Sequence, residues 1–399
     1  VNFYWYWPYL RREELGLAAG LVGDGDRLVV HTTPRPTDPI VSPNPHWEVR
    51  PTLPAVEDRS EGSATWVASR GLTYARRALA RRRAVDAGDF DVCHVVYLNQ
   101  FTDPLDLWAL RRKVPLVSTV HDVVPHNSRV PAAVERRLLA AQYRNAGTLL
   151  VHHEAVGERL VREFDLDPDR VVVVPLQIPV IDMSEGRERA HPSGARERAR
   201  SADAGATQDA SADAGAPRQS VLFFGTFRRN KGIVELLDAI EQLRGETAAR
   251  FVFAGRGFPD VEQLVLDAAQ RDPRIVTEIG YATADRKNEL HATADLMVLP
   301  YTSFASQSAV LQDAYAHRLP VVVTDVGALG ETVRGDGTGW VVPPSDSEHL
   351  GASILAALRD EPGLRAASAA ADAIARDRTP VLTGRRYRAV YERAAGAGT

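Results

Sequence analysis

Residues 221–232 read V-L-F-F-G-T-F-R-R-N-K-G. An apolar strand runs to Gly225, a basic loop follows, and Gly232 opens a helical pattern. A glycine at a strand end lets backbone approach a ligand, and Arg228 and Lys231 supply cationic donors beside a helix start whose N–H groups are unpaired. That combination suits a diphosphate, although the same residues also describe an ordinary basic loop. A second stretch ends a strand at Pro300, crosses a Ser-rich loop and starts a helix near Ser306–Ser308. Small polar residues there leave backbone N–H groups for an anion. Asp313 lies within that helix, where a solvated helix acid is the plain reading. His121 stands at the carboxyl end of the apolar strand Pro115–Val120, and Asp122 and His126 follow in its loop. A lone strand-end histidine is by default a packing or capping residue.

Other chemistries lack their residues. No G-x-G-x-x-G follows the first strand, and no G-x-x-x-x-G-K-[ST] occurs. The D-x-D pairs at Asp24/Asp26, Asp89/Asp91 and Asp165/Asp167/Asp169 sit in polar turns, so no metal site is expected. One cysteine, Cys93, excludes a disulfide framework and a Cys-based zinc site. The formal charge of −4 gives no basic field for nucleic acid. No apolar run approaches the ~18–20 residues of a membrane span.

The elements that would position these groups alternate. Strands are expected at Arg27–Thr32, Val92–Tyr97, Leu116–Val120, Gly147–His152 and Arg170–Pro175, then at Ser220–Phe224, Arg250–Ala254, Ile275–Ile279, Leu296–Leu299 and Val321–Thr324. Amphipathic helices fill the gaps, among them Pro131–Arg144, Glu154–Phe164, Ile233–Leu243 and Ser308–Ala316. Continuous apolar strands between such helices imply parallel sheets covered on both faces, an α/β class. Residues 183–220 are almost wholly Ser, Ala, Gly, Asp, Glu, Arg and Gln, with SADAGA at 201–206 and again at 211–216. Too little apolar content remains there to offset ordering, so a disordered insertion is expected. The expected domains are 1–182 and 221–399, facing a cleft, with the last helix able to pack back on the first domain. The aromatic residues 1–10 read as a first strand rather than a signal peptide, and Val1 fits a GTG start or a trimmed chain.

Taken together, the chain resembles the GT-B glycosyltransferases, specifically the retaining family 4 type. The resemblance rests on F-F-G-T-F-R-R-N-K-G (223–232), F-A-G-R-G (253–257), A-D-L-M-V-L-P-Y (294–301), P-V-V-V-T-D-V-G (320–327), G-T-G-W-V-V-P-P (337–344) and S-T-V-H-D-V-V-P-H (118–126). It implies two doubly wound Rossmann-like domains, with a UDP- or GDP-sugar donor held by the second and a hydroxyl acceptor by the first. No further cofactor is implied. Arg228 and Lys231 would hold the diphosphate and stabilise its departure, and Gly225 would admit it. Ser306, Gln307 and Ser308 would contact donor phosphate or sugar, Asp313 the ribose, and Gly257 and Tyr281 the base. His121 would face the donor sugar, with Asp122 and His126 on the acceptor side.

Two departures qualify the resemblance. Most of the family has two Glu residues eight apart; Ala305 and Asp313 stand there instead. A subgroup reads S-Q-S-G where this chain has S-Q-S-A, with Ala309 for Gly. A degenerate transferase serving as scaffold or activator, and a GT-B sugar epimerase, are therefore the alternatives. Arg70, Arg76, Arg77, Arg81, Arg82 and Arg83 fall on one helical stretch. They read as a solvated face or as a dock for anionic lipid, since many relatives glycosylate lipid-linked acceptors. The expected location is cytoplasmic, peripheral to the inner membrane face in the docking case.

Overall fold

The computed structural model describes residues 1–10, 12–34, 44–55, 64–124, 131–181, 219–303 and 308–396. It divides into two compact units, Val1–Gln177 with Pro380–Thr399, and Ile178–Thr379. Residues 183–218 of the expected insertion lie outside the described residues, and Ser220 already belongs to a strand.

The first unit holds a parallel seven-stranded sheet of β1 (Asn2–Tyr6), β2 (Arg27–His31), β3 (Trp47–Arg50), β4 (Val92–Val95), β5 (Leu116–Thr119), β6 (Thr148–Val151) and β7 (Val171–Val173). Its spatial order is β3-β2-β1-β4-β5-β6-β7. Helices α1 (Gly16–Leu21), α2 (Ala64–Ala87), α3 (Asp103–Leu110), α4 (Ala132–Asn145) and α5 (Glu154–Phe164) connect the strands. The second unit holds β8 (Ser220–Phe227), β9 (Arg250–Gly257), β10 (Ile275–Ile279), β11 (Leu296–Leu299), β12 (Val321–Thr324) and β13 (Gly339–Val342), in the order β10-β9-β8-β11-β12-β13, again parallel. Its helices are α6 (Ile233–Gln242), α7 (Pro259–Arg271), α8 (Ala284–Thr293), α9 (Ala309–Ala316), α10 (Leu329–Asp336), α11 (Ser347–Arg359) and α12 (Glu361–Asp377). The final helix, α13 (Pro380–Gly396), is part of the first unit.

The period-2 geometry of strands explains the double winding of the second unit. Val221, Phe223, Leu296, Val298 and Val322 enter one core with Ile233, Leu236, Val261, Val265 and Ile354 from α6, α7 and α11. Their neighbours Leu222, Met297, Leu299, Val321 and Val323 enter a second core with Leu290, Leu311, Tyr315, Leu329 and Val333 from α8, α9 and α10. Both faces of the sheet are thereby buried, which is why these strands read as unbroken apolar runs.

In the first unit α13 completes the core. Tyr387, Val390 and Tyr391 pack with Phe3 and Trp5 of β1 and with Leu17 and Leu21 of α1. The α1 and α13 backbones approach so closely that a Cβ on Gly384 would lie 2.1 Å from the Leu17 carbonyl oxygen. A buried polar chain crosses the same contact. The Trp5 indole donates to the Tyr391 hydroxyl at 2.8 Å, and that hydroxyl meets His94 Nδ1 at 2.5 Å. His94 Nε2 meets the Thr119 hydroxyl at 2.8 Å. The Tyr391 hydroxyl has an acceptor site for Trp5 and either a donor or a second acceptor site for Nδ1, and the neutral ring donates from one nitrogen and accepts at the other, so every group in the chain is satisfied.

Three expectations are adjusted. β8 and β9 each run to eight residues because they pair along their whole length, Ser220 with Arg250 through Phe227 with Gly257. The edge strands β3 and β13 are additional; residues 339–342, read within a turn motif, form β13 against β12. The arginine-rich run is a helix, but not one exposed cationic face. Arg77 and Arg81 are 2% and 1% exposed. Arg81 Nη2 lies 2.6 Å from Asp103 and its Nε lies 2.7 Å from Asp106, with the Tyr6 ring stacked 4.5 Å away.

Candidate functional site

In the second unit the candidate residues gather at the carboxyl ends of β8, β9 and β11. Gly232 has a φ of 69°, and a Cβ on it would stand 1.6 Å from the Pro300 carbonyl oxygen. Only glycine permits that turn so close to the end of β11. The loop is then tied to its neighbour: the Thr302 N–H donates to Asn230 O at 3.1 Å, and Asn230 Nδ2 to Ser303 O at 3.3 Å. Held between them, Lys231 rests its ammonium 3.5 Å from the centre of the Tyr301 ring. Burial, helped by the charge of Arg228, lowers its pKa to about 8. An incoming anion favours the charged form of such an ammonium and so binds it more tightly. Arg228 is exposed, with its guanidinium 5.9 Å from the Phe258 ring. Gly225 lies within β8 at φ 135°, a conformation that residues with a side chain rarely adopt.

The other expected donor residues are more dispersed. Gly257 closes β9, where a Cβ would lie 2.0 Å from Phe227 O, and its N–H donates to Glu262 at 2.6 Å. Tyr281 is 84% exposed and lies 4.5 Å from the Arg256 guanidinium. Ser308 is buried; its hydroxyl caps α9 through the Leu311 N–H and lies 3.3 Å from the Tyr301 hydroxyl. Asp313 is paired with Lys287 of α8 at 3.0 Å. Ala305, Ser306 and Gln307 lie outside the described residues, as does His126.

In the first unit His121 follows β5 and His152 follows β6, with ring centres 5.5 Å apart. His121 Nε2 donates to Val96 O at 3.0 Å and His152 Nδ1 to Val174 O at 2.9 Å. A carbonyl only accepts, so these bonds fix both tautomers, leaving a lone pair on His121 Nδ1 and on His152 Nε2. Desolvation first, and His152 second, lower the His121 pKa to about 3; desolvation brings His152 to about 4. Both rings are therefore neutral near pH 7 and able to accept a hydroxyl proton in a hydrogen bond. Tyr97 stacks on His121 at 4.7 Å. Asp122 is half-buried, and its carbonyl accepts from the Tyr143 hydroxyl at 3.3 Å.

Sequence reasoning passed over Tyr301, although it closes the A-D-L-M-V-L-P-Y motif. It passed over Tyr97 and Lys287, which carry no local signal, and used His152 only as a strand end.

With this geometry in view, the comparisons decide the family. Residues 12–177 match the model of the Glycosyl transferase 4-like domain, and residues 218–360 that of Glycosyl transferases group 1. The chain belongs to the GT-B glycosyltransferases of the family 4 type. This glycosyltransferase is 29% identical over 337 residues to a phosphatidyl-myo-inositol mannosyltransferase of Mycobacterium leprae, covering 80% of this chain and 77% of the relative. Its fold is shared by sucrose-phosphate synthase of Thermosynechococcus elongatus, with a TM-score of 0.73, 18% identity and 99% of each chain covered. It is shared too by Anabaena HepE in complex with UDP-glucose, with a TM-score of 0.64, 15% identity, and 98% of this chain and 99% of that one covered. Among the described residues of this glycosyltransferase, no helix is long and apolar enough to cross a membrane.

Proposed function

We propose that this glycosyltransferase moves a sugar from a UDP- or GDP-sugar to a hydroxyl acceptor with retention of configuration. The observation that carries the proposal is Lys231, desolvated on the Tyr301 ring beside Arg228 in a loop that glycines keep clear. Two cations there would bind the donor diphosphate and stabilise the charge that grows on it as the glycosidic bond breaks. The departing diphosphate would take the acceptor proton, so no protein nucleophile is assigned. Asp313, Ser306, Gln307, Ser308, Gly257 and Tyr281 are kept as donor-side candidates, and His121, Asp122 and His126 are assigned to sugar and acceptor hydroxyls. A structural neighbour holding UDP-glucose supports the donor class, and a relative named for phosphatidyl-myo-inositol supports a lipid-linked acceptor. For contact with anionic lipid, the face of α2 that remains is Leu72, Arg76, Leu79 and Arg83, all exposed.

Calorimetric titration with UDP and GDP tests the donor site. Arg228→Ala and Lys231→Ala are each expected to weaken the preferred nucleotide about 10–100-fold, the worth of one charge-assisted hydrogen bond. Unchanged affinity removes the assignment. Turnover of a nucleotide-sugar panel separates the enzyme from a scaffold, the reading that Ala305 and the Lys287–Asp313 pair favour. Tight diphosphate binding without transfer supports the scaffold.

A further inference from the structure

The first unit contains a cavity of about 560 Å³ at the opposite ends of the strands that carry His121 and His152. Its wall includes the residues just before β5 and β6, the turn after α3 and the end of α13. Arg111, Arg112, Lys113, Arg170 and Arg393 line it, against the one carboxylate of Asp169. Lys113 is neutralised by its pairing with Asp86. The four arginines are held otherwise. Arg111 and Arg170 converge on one carbonyl, Arg144 O, at 3.2 and 3.3 Å. Arg170 also takes Gly147 O at 2.8 Å and Tyr143 O at 3.0 Å. Arg112 donates to Trp108 O at 3.1 Å and lies 3.4 Å over the Trp108 ring. Arg393 donates to Asp169 O at 3.0 Å.

Carbonyls fix a guanidinium's position without cancelling its charge; Arg111, Arg112 and Arg393 each engage one nitrogen this way, whereas Arg170 commits both Nε and Nη2 and keeps only the N–H groups of Nη1. Arg170 shows the consequence: burial first, and the charge of Arg111 second, hold its pKa below the ordinary guanidinium range. Arg111 and Arg170 have a structural task, because the carbonyls of Tyr143 and Arg144 end α4 and attract cations. Arg112 meets the last turn of α3 through one bond to Trp108 O, Arg393 makes its one bond to Asp169 O outside any α-helix, and both are exposed at the cavity wall. A volume near 560 Å³ is of small-molecule size. The four-residue strands β5 and β6 separate the cavity from the histidines by about 13 Å at 3.3 Å per residue, too far for one small group to touch both.

We propose that this cavity is a second ligand site, for a molecule carrying phosphate groups, gripped by Arg112 and Arg393 with Arg111 and Arg170 adding charge. Phosphate is common to free phosphorylated solutes and phospholipid headgroups, and the fork of arginine matches it bidentately.

The test uses the full chain and inorganic pyrophosphate in calorimetry. Lys231→Ala is the background, so that the proposed donor loop does not compete. Adding Arg112→Gln with Arg393→Gln is expected to weaken pyrophosphate at least 10-fold while leaving the melting temperature unchanged. Should that pair not fold, Arg393→Glu alone serves, with the same expected loss. In the chain with Lys231 intact, the Gln pair should leave UDP affinity unchanged, which keeps failure here distinct from failure of the donor assignment. Equal pyrophosphate affinity with and without Arg112 and Arg393, or none in the background chain, overturns the site. Phosphatidylglycerol vesicles identify the source. If they displace pyrophosphate where phosphatidylcholine vesicles do not, the ligand is a headgroup; if neither does, it is a free solute.

Discussion

Lys231 lives under two opposed pressures: the Tyr301 ring and Arg228 favour its neutral form, and a diphosphate would favour the charged one. Because its pKa without ligand is about 8, nucleotide affinity should hold steady below pH 8 and fall about tenfold per unit above it. A lysine at the ordinary value, near 10.4, would hold until about pH 10. Titrating UDP at pH 7, 8 and 9 checks this; a flat profile takes Lys231 off the phosphate. The buried histidines give the opposite slope, in stability. Desolvation lowers His31, His94 and His152 to about 4, 3 and 4. An unfolded histidine takes up its proton near 6.5, so the stability each contributes is complete above that pH and is lost as pH falls toward its folded value. From pH 7 to pH 5 each should remove about 2 kcal/mol. Urea midpoints at the two pH values measure the sum, and equal midpoints would mean that these rings are already hydrated. At this scale the cations at Arg228 and Lys231 were legible, because their loop is contiguous. The fixed tautomer of His121 was not, because its partner, Val96 O, comes from another strand.

At the scale of elements, α2 and α3 are joined by a charge that hydrophobic patterning cannot foresee. Arg81 is buried between Asp103 and Asp106. Removing it strands two carboxylates away from water, so Arg81→Met should destabilise by about 3–5 kcal/mol, against less than about 0.5 for Arg76→Gln or Arg83→Gln on the exposed face. Urea denaturation gives both values; equal, small losses would place Arg81 in contact with solvent. In the sequence this run reads as one solvated or lipid-facing surface, because its acidic partners lie more than twenty residues on. Local spacing reveals a helix well and its long-range partners poorly. The same limit explains the strands. β10, β11 and β12 are found at their expected bounds because their apolar runs are self-contained. β3, W-E-V-R, carries no such run and exists by pairing with β2.

For the whole molecule, the membership of α13 in the first unit matters most. Cutting the chain after Thr379 would expose Phe3, Trp5 and Leu17 and leave Trp5 Nε1 and His94 Nδ1 without Tyr391. Each large side chain stripped of its cover forfeits about 1.5–3 kcal/mol, enough in sum to exceed the stability of an ordinary domain. The truncated chain is expected to lose the cooperative melting of the first unit while the second, contiguous unit still melts. Limited proteolysis with differential scanning calorimetry checks it, and an intact first transition would refute the account. The returning helix also sets an order of events during synthesis. The unit that begins at residue 1 cannot close until residues 380–396 have left the ribosome. About 200 residues of the second unit are made in between, roughly 10–40 s at the usual elongation rate. Through that interval the β1 aromatics and the α1 leucines stay uncovered, whereas the later unit has everything it needs to fold. The second unit is therefore expected to complete first, and a ribosome-stalled chain ending near residue 379 should show protease resistance in residues 219–379 before residues 1–177.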